Sequence, residues 1–153
     1  MGRPADTVVI RNRRARYDYN VLDAFECGIV LAGSEVKSIR AGRANLQDAY
    51  GRVEDDELWL YGMHIAPYEF SRAELEPTRR RKLLVHRKQI DTLARATAEK
   101  GVTLVPLRVY FKDGRAKVEL AVAKGKRAYD KRRTIAERDA KREAERALKG
   151  LRD

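Results

Sequence analysis

The chain has 153 residues, 34 of them Lys or Arg against 23 Asp or Glu, for a net charge of +11. That length supports one domain with a core and not two, and a hydrophobic content of 43% excludes a wholly disordered chain. A cationic surplus this large calls for an anionic partner, either nucleic acid, an acidic membrane surface or an acidic protein. The membrane is the weakest of these, because no apolar run approaches the roughly 20 residues of a bilayer span and residues 1–16 lack a signal-peptide core.

In chain order, residues 1–16 read as a basic arm, with Arg11, Arg13, Arg14 and Arg16 just ahead of Tyr17 and Tyr19. Those tyrosines fit either a strand start in the core or a stacking surface. Residues 17–123 read as a globular body, mostly strands. Residues 25–31 form an apolar run between Asp23 and Gly33. It holds Cys27, the only cysteine, which rules out an intramolecular disulfide and fits a small core residue. Ser34 is expected to cap a short helix through Arg40 that Gly42 stops. Residues 49–53 and 58–65 flank Glu54-Asp55-Asp56-Glu57, a hairpin signal. A longer helix is expected over residues 88–100, ending at Gly101, with Ile90, Leu93, Ala94 and Thr97 on one face. Residues 104–111 and 116–122 flank Lys112-Asp113-Gly114, a stronger signal, because Asp-Gly tolerates positive φ. In the last strand Val118, Leu120 and Val122 alternate with Lys117, Glu119 and Ala121, so one face meets the core and the other water. Short strands with two helical inserts suggest a small barrel such as the OB-fold, though another small α+β fold has the same periodicity.

Residues 124–153 form a tail with 12 Lys/Arg against 6 Asp/Glu. Its few apolar groups past Thr134 would not offset an ordering cost of about 1–2 kcal/mol per residue. It nevertheless has a Thr134/Glu137 capping box and i,i+4 pairs Glu137–Lys141 and Glu145–Lys149. It is expected to be disordered when free and helical on a polyanion; a permanently solvated helix is the alternative.

Catalytic chemistry is hard to find. His64 and His86 are the only histidines, both in apolar stretches that favour a structural role. Asp55-Asp56 sits in a turn and makes a poor metal site. No HExxH, GxSxG, P-loop or paired-cysteine pattern occurs. The positive signals are the cation block Arg79-Arg80-Arg81-Lys82 and a second block, from Lys124 to Arg133, around Tyr129. Such residues neutralise phosphates and stack on bases.

Several ordered segments go further. They are residues 12–19 (NRRARYDY), 25–29 (FECGI), 33–42 (GSEVKSIRAG) with Asn45-Leu46 and Asp48, 64–68 (HIAPY), 81–84 (RKLL), 103–107 (TLVPL) and 125–132 (GKRAYDKR). From about Arg11 to Arg138 this series closely resembles the family of SsrA-binding proteins, the small protein B partners of transfer-messenger RNA in bacteria. The resemblance implies a mainly β protein with helices, an OB-fold-like small antiparallel barrel with a basic C-terminal tail that is helical when bound. It implies a cytoplasmic, monomeric RNA-binding factor without cofactor or metal, which catalyses nothing. It also implies binding to the tRNA-like domain of transfer-messenger RNA and delivery to stalled ribosomes in trans-translation. The tail would probe the empty decoding centre of the small subunit and the mRNA channel. The RNA surface of the body would be Asn12, Arg13, Tyr19, Glu26, Lys37, Arg40, Lys82 and Leu84. The tail motif would be Gly125, Lys126, Arg127, Tyr129, Asp130, Lys131 and Arg132. Glu26 is unexpected in that set; a carboxylate can accept hydrogen bonds from base amino groups or 2′-hydroxyls, and a plain turn residue is the other reading. Cys27 stands where the family usually has alanine, and Arg127 where it usually has lysine. A structural ribosomal protein, a general single-strand binder and a nuclease are the competing readings.

Overall fold

A computed structural model describes residues 7–69 and 75–126 together with Arg142 and Arg146. Its two tight hairpins follow from local backbone chemistry. Between β4 (Tyr50–Glu54) and β5 (Glu57–Tyr61), Asp55 and Asp56 both take positive φ, +49° and +61°. Between β8 (Val102–Lys112) and β9 (Arg115–Gly125), Asp113 and Gly114 do the same, at +50° and +76°. Positive φ at both central residues is the two-residue turn whose twist matches that of the flanking strands. The pairs Glu54–Glu57 and Lys112–Arg115 close the two turns in register.

The remaining strands are β1 (Thr7–Arg11), β2 (Tyr19–Ile29), β3 (Ala44–Asn45), β6 (His64–Ile65) and β7 (Arg81–Leu84). Antiparallel pairing runs β8–β4–β5–β7–β2–β9, and β9 pairs back onto β8. The sheet therefore closes into a barrel without a free edge along that circuit. β4 touches β8 at Leu104, and β1 takes over the same edge further along, from Thr7 opposite Phe111 to Arg11 opposite Arg108. Residues 7–11, expected in the basic arm, are thus part of the barrel wall, and β9 extends past residue 123 to Gly125. A short pair, β3 with β6, lies outside the circuit.

Inside the barrel, Cys27, Ile39, Leu58, Leu60, Met63, Leu83, Leu104, Val109, Val118 and Leu120 are buried. Cys27 is completely buried, and burial pushes its thiol up to about 12, so it is an inert core residue. Pro106 lies where β8 slips register against β9, a place where its missing N–H disturbs no regular ladder. A second, smaller cluster sits outside the barrel wall, under α1 (Ala15–Asp18): Ala15, Val105, Leu107, Ala121 and Ala123. It alters the pattern expected for the last strand. The outer face of β9 is half-buried at Lys117 and Glu119 and ends beneath a helix at Ala121 and Ala123, while Val122 is only partly buried.

Two helices plug and cover the barrel. α2 (Gly33–Arg40) begins one residue before Ser34, and Ala32 holds the cap position. The capping is done from inside the helix, where the Glu35 carboxylate accepts the Ala32 N–H at 2.9 Å. At the other end the Gly42 N–H bonds Ile39 O and the Arg43 N–H bonds Ser38 O, each at 2.9 Å. This is a Schellman closure, and it needs the φ of +75° that Gly42 supplies. α3 (Arg87–Ala98) faces the barrel through Leu93, Ile90 and Thr97. Ala94, expected on that face, is exposed.

Candidate RNA interface

The body residues expected to meet RNA fall into two groups on the barrel. Asn12, Arg13 and Tyr19 lie at the α1 end. Glu26, Lys37, Arg40, Lys82 and Leu84 lie toward the other end of β2. Seven residues of strand separate Tyr19 from Glu26, on the order of 20 Å.

At the second group, the strand registers build an outward-facing row. Gly28 is opposite Leu84 on β7 and Lys117 on β9, and Lys117 is opposite Tyr110 on β8. Leu84 is 52% exposed, unusual for a leucine in a strand of four. It lies directly over Gly28, where an added Cβ would come within 3.2 Å of the Leu84 Cβ. One step along, Glu26 is opposite Glu119, which is opposite Arg108. Glu26 accepts a hydrogen bond from the Tyr110 hydroxyl and has the Lys112 ammonium at 3.6 Å. The Tyr110 bond foremost, then the charges of Lys112 and Lys117, hold its carboxyl below the usual carboxylate range. It is therefore an ionised acceptor seated among cations. Lys82 points outward further along β7, where its backbone carbonyl accepts the Val30 N–H at 3.0 Å and its ammonium has Glu57 at 3.3 Å. Arg40, exposed on α2, stacks its guanidinium 4.1 Å from the centre of the Phe111 ring, next in sequence to Lys112. Lys37, three residues earlier, has its ammonium 5.2 Å from the Tyr68 ring.

The first group is built differently. Asn12 donates its side-chain amide to Pro106 O at 2.9 Å and Leu46 O at 3.3 Å, and its N–H to Leu107 O. Its donors are thus spent on tying β1 to the barrel, while its side-chain oxygen has no partner among the described residues. Arg13 is exposed. Tyr19 is half-buried against the cluster beneath α1. Tyr17, by contrast, is 76% exposed, with Arg13, Arg14 and Arg16 exposed around it and the Lys126 ammonium 5.9 Å from its ring. The sequence left Tyr17 undecided between core and surface; a single helical turn that buries only Ala15 resolves it outward. Gly125 ends β9 opposite Tyr19. Arg127, Tyr129, Asp130, Lys131 and Arg132 lie outside the described residues, as does the expected tail helix apart from Arg142 and Arg146, both of which are helical.

The block Arg79-Arg80-Arg81-Lys82 is not the open phosphate site that its charges suggested. Arg81 is 1% exposed. Its Nε bonds Glu35 at 2.8 Å, and its other nitrogens bond Met63 O at 2.6 Å and Pro77 O at 2.9 Å. Arg79 binds the same carboxylate with two nitrogens. Burial pushes the Glu35 carboxyl up, but the bonds from Arg79, the Ala32 N–H and Arg81 outweigh it and hold the group below its ordinary value. Arg80 lies over Trp59, its guanidinium 3.9 Å from the ring centre. Alternation along β7 explains the split, since Arg81 and Leu83 point in while Lys82 and Leu84 point out. His64 and His86 are both exposed; His86 is the residue before α3, and Gln89 accepts its N–H. Among the described residues, no cluster of three or more His, Cys, Asp or Glu could hold a metal ion, and no helix is long and apolar enough to cross a membrane.

The family model for SmpB protein matches residues 9–150. A relative from Desulforudis audaxviator described as an SsrA-binding protein is 56% identical over 98% of this chain and 99% of its own length. One from Pelotomaculum thermopropionicum, with the same description, is 57% identical over 93% of this chain and 94% of its own. A solved structure described as "tmRNA-SmpB: a journey to the center of the bacterial ribosome" is similar at a TM-score of 0.67 and 48% identity, covering 78% of this chain and 85% of that one.

Proposed function

This chain belongs to the SmpB protein family, and from that premise we propose that it binds transfer-messenger RNA and works with it on bacterial ribosomes in trans-translation. What carries this is the likeness, at 48% identity, to a barrel described with transfer-messenger RNA at the centre of the ribosome. The finer assignment is that the body holds the tRNA-like domain of that RNA and delivers it to stalled ribosomes. The tail from Lys126 onward would probe the empty decoding centre and mRNA channel. The protein acts by binding alone, without cofactor, in the cytoplasm.

Glu26, Lys37, Arg40, Lys82 and Leu84 form one contact surface in this reading, and Asn12, Arg13 and Tyr19 a second. Support comes from chemistry that suits folded RNA. An exposed leucine offers apolar contact, an ionised carboxylate offers an acceptor for base or ribose donors, and the lysines and arginines offer phosphate contacts. Two separated surfaces on one rigid barrel suit a protein that must hold one RNA while meeting another.

Titrating a transcript of the tRNA-like domain, beside an ordinary tRNA, over a salt series tests this. A preference for the tRNA-like transcript that persists at high salt is expected. Equal affinities that fall together as salt rises would leave only counterion release, as expected of a general binder or a structural ribosomal protein.

A further inference from the structure

We propose that Tyr110 is a positioning residue for RNA recognition: its hydroxyl, with the Lys112 ammonium, holds one oxygen of Glu26 so that the other stands outward as a fixed acceptor. The donor it fits is a base amino group or a ribose 2′-hydroxyl. This rests on the reading of Glu26 as an RNA contact.

Tyr110 occupies an odd position. Val109 and Phe111 point into the barrel, so Tyr110 points out, yet it is only 2% exposed. Arg108 lies over its ring at 4.6 Å, and it sits between Val8 and Lys117 in register. So enclosed, it cannot present its ring to RNA, but its hydroxyl reaches across β9 to the more exposed Glu26 on β2. The described hydrogen bonds and ion pairs of Glu26 all go to Oε2, from Tyr110 and Lys112. Oε1 has no partner among the described residues.

Two physical consequences make this a device for binding. A free glutamate on a strand surface samples many rotamers and gives up that freedom on binding RNA, whereas one already anchored has little left to lose. A carboxylate near phosphates also tends to take up a proton and lose acceptor capacity. The charged groups facing Glu26 are Lys112 from β8 and Lys117 and Glu119 from β9. The two lysines and the Tyr110 bond favour the ionised form, so the acceptor persists beside a polyanion.

The experiment measures binding of a tRNA-like-domain transcript to wild type, Tyr110→Phe, Glu26→Gln and the double variant, with a melting temperature for each. Tyr110→Phe keeps the ring and removes the hydroxyl. It should fold and bind roughly tenfold more weakly, the scale of one hydrogen bond to a charged group. The double variant should bind no more weakly than Glu26→Gln alone. As pH falls, binding by Tyr110→Phe should fail earlier than binding by wild type, a shift that a purely structural tyrosine would not produce. Wild-type affinity in Tyr110→Phe, or losses that multiply in the double variant, would overturn the proposal, and so would wild-type affinity in Glu26→Gln. Should Tyr110→Phe not fold, Lys112→Met makes the same test from the exposed side, with a smaller loss expected and the same coupling to Glu26. If wild type itself shows no preference for the transcript, the reading of the family function fails instead.

Discussion

At Arg81 a guanidinium has left water altogether and is repaid by Glu35 and two backbone carbonyls. Such a pair adds little net stability relative to an apolar substitute, but breaking it is costly. Glu35→Gln should lower unfolding free energy by roughly 3 kcal/mol at neutral pH, read from urea titrations. The sign with pH follows from the depressed carboxyl. Its stabilising contribution is present above the ordinary value of 4.5 and is lost as pH falls through the lower folded value. The gap between wild type and Glu35→Gln should therefore close on acidification below about pH 4.5; a gap constant to pH 3 would exclude Glu35 as its source. None of this was legible at Arg81 itself. The partner is 46 positions away, and a run of four cations reads as a solvated face until strand alternation turns one of them inward.

At the scale of elements, what could be read was what is local. Both hairpins were visible because a two-residue turn is specified by its own residues, and α3 by its own periodicity and the glycine after it. β1 and β7 were missed as strands because what makes them strands lies far away. Thr7 finds Phe111, and Leu84 finds Gly28. The start of α2 was missed because its cap comes from within, from Glu35 rather than Ser34. The β4–β5 turn gives a prediction of its own. Asp56 sits at φ +61°, where a Cβ is a cost and its partner Arg87 is largely solvent-exposed. Asp56→Gly should raise stability by about 0.5–1 kcal/mol without altering RNA affinity. A lower midpoint in thermal unfolding would show that the Asp56–Arg87 contact matters more than its exposure suggests.

For the whole molecule, the charge that composition announced is unevenly available. Arg81 is withdrawn into the core, Arg79 is committed to Glu35, and Lys124 is held by Glu99 at 2.9 Å. The exposed cations described at the α1 end, Arg13, Arg14 and Arg16, stand next to where the chain leaves the barrel at Gly125. Composition gave the sign of the partner and the ordered motifs gave its identity. The division into two surfaces needed the closed sheet. Because β9 is paired through Gly125, the place to remove the tail is after Lys126. That truncation should keep the barrel's melting temperature and its affinity for the tRNA-like transcript within about twofold, the scatter expected of a surface change, and lose rescue of stalled ribosomes. Tagging of stalled chains by the truncated protein in a reconstituted system would refute the division of labour.

Cys27, enclosed between β7 and β9 with its thiol pushed up to about 12, has one further consequence. A maleimide dye meets no reactive sulfur on the native protein. A cysteine introduced on the surface, at Lys88 or beyond Lys126, would therefore be labelled alone. The natural sequence is already a background for single-site fluorophores, and the distance from barrel to tail can be followed on the ribosome without first engineering the native thiol away.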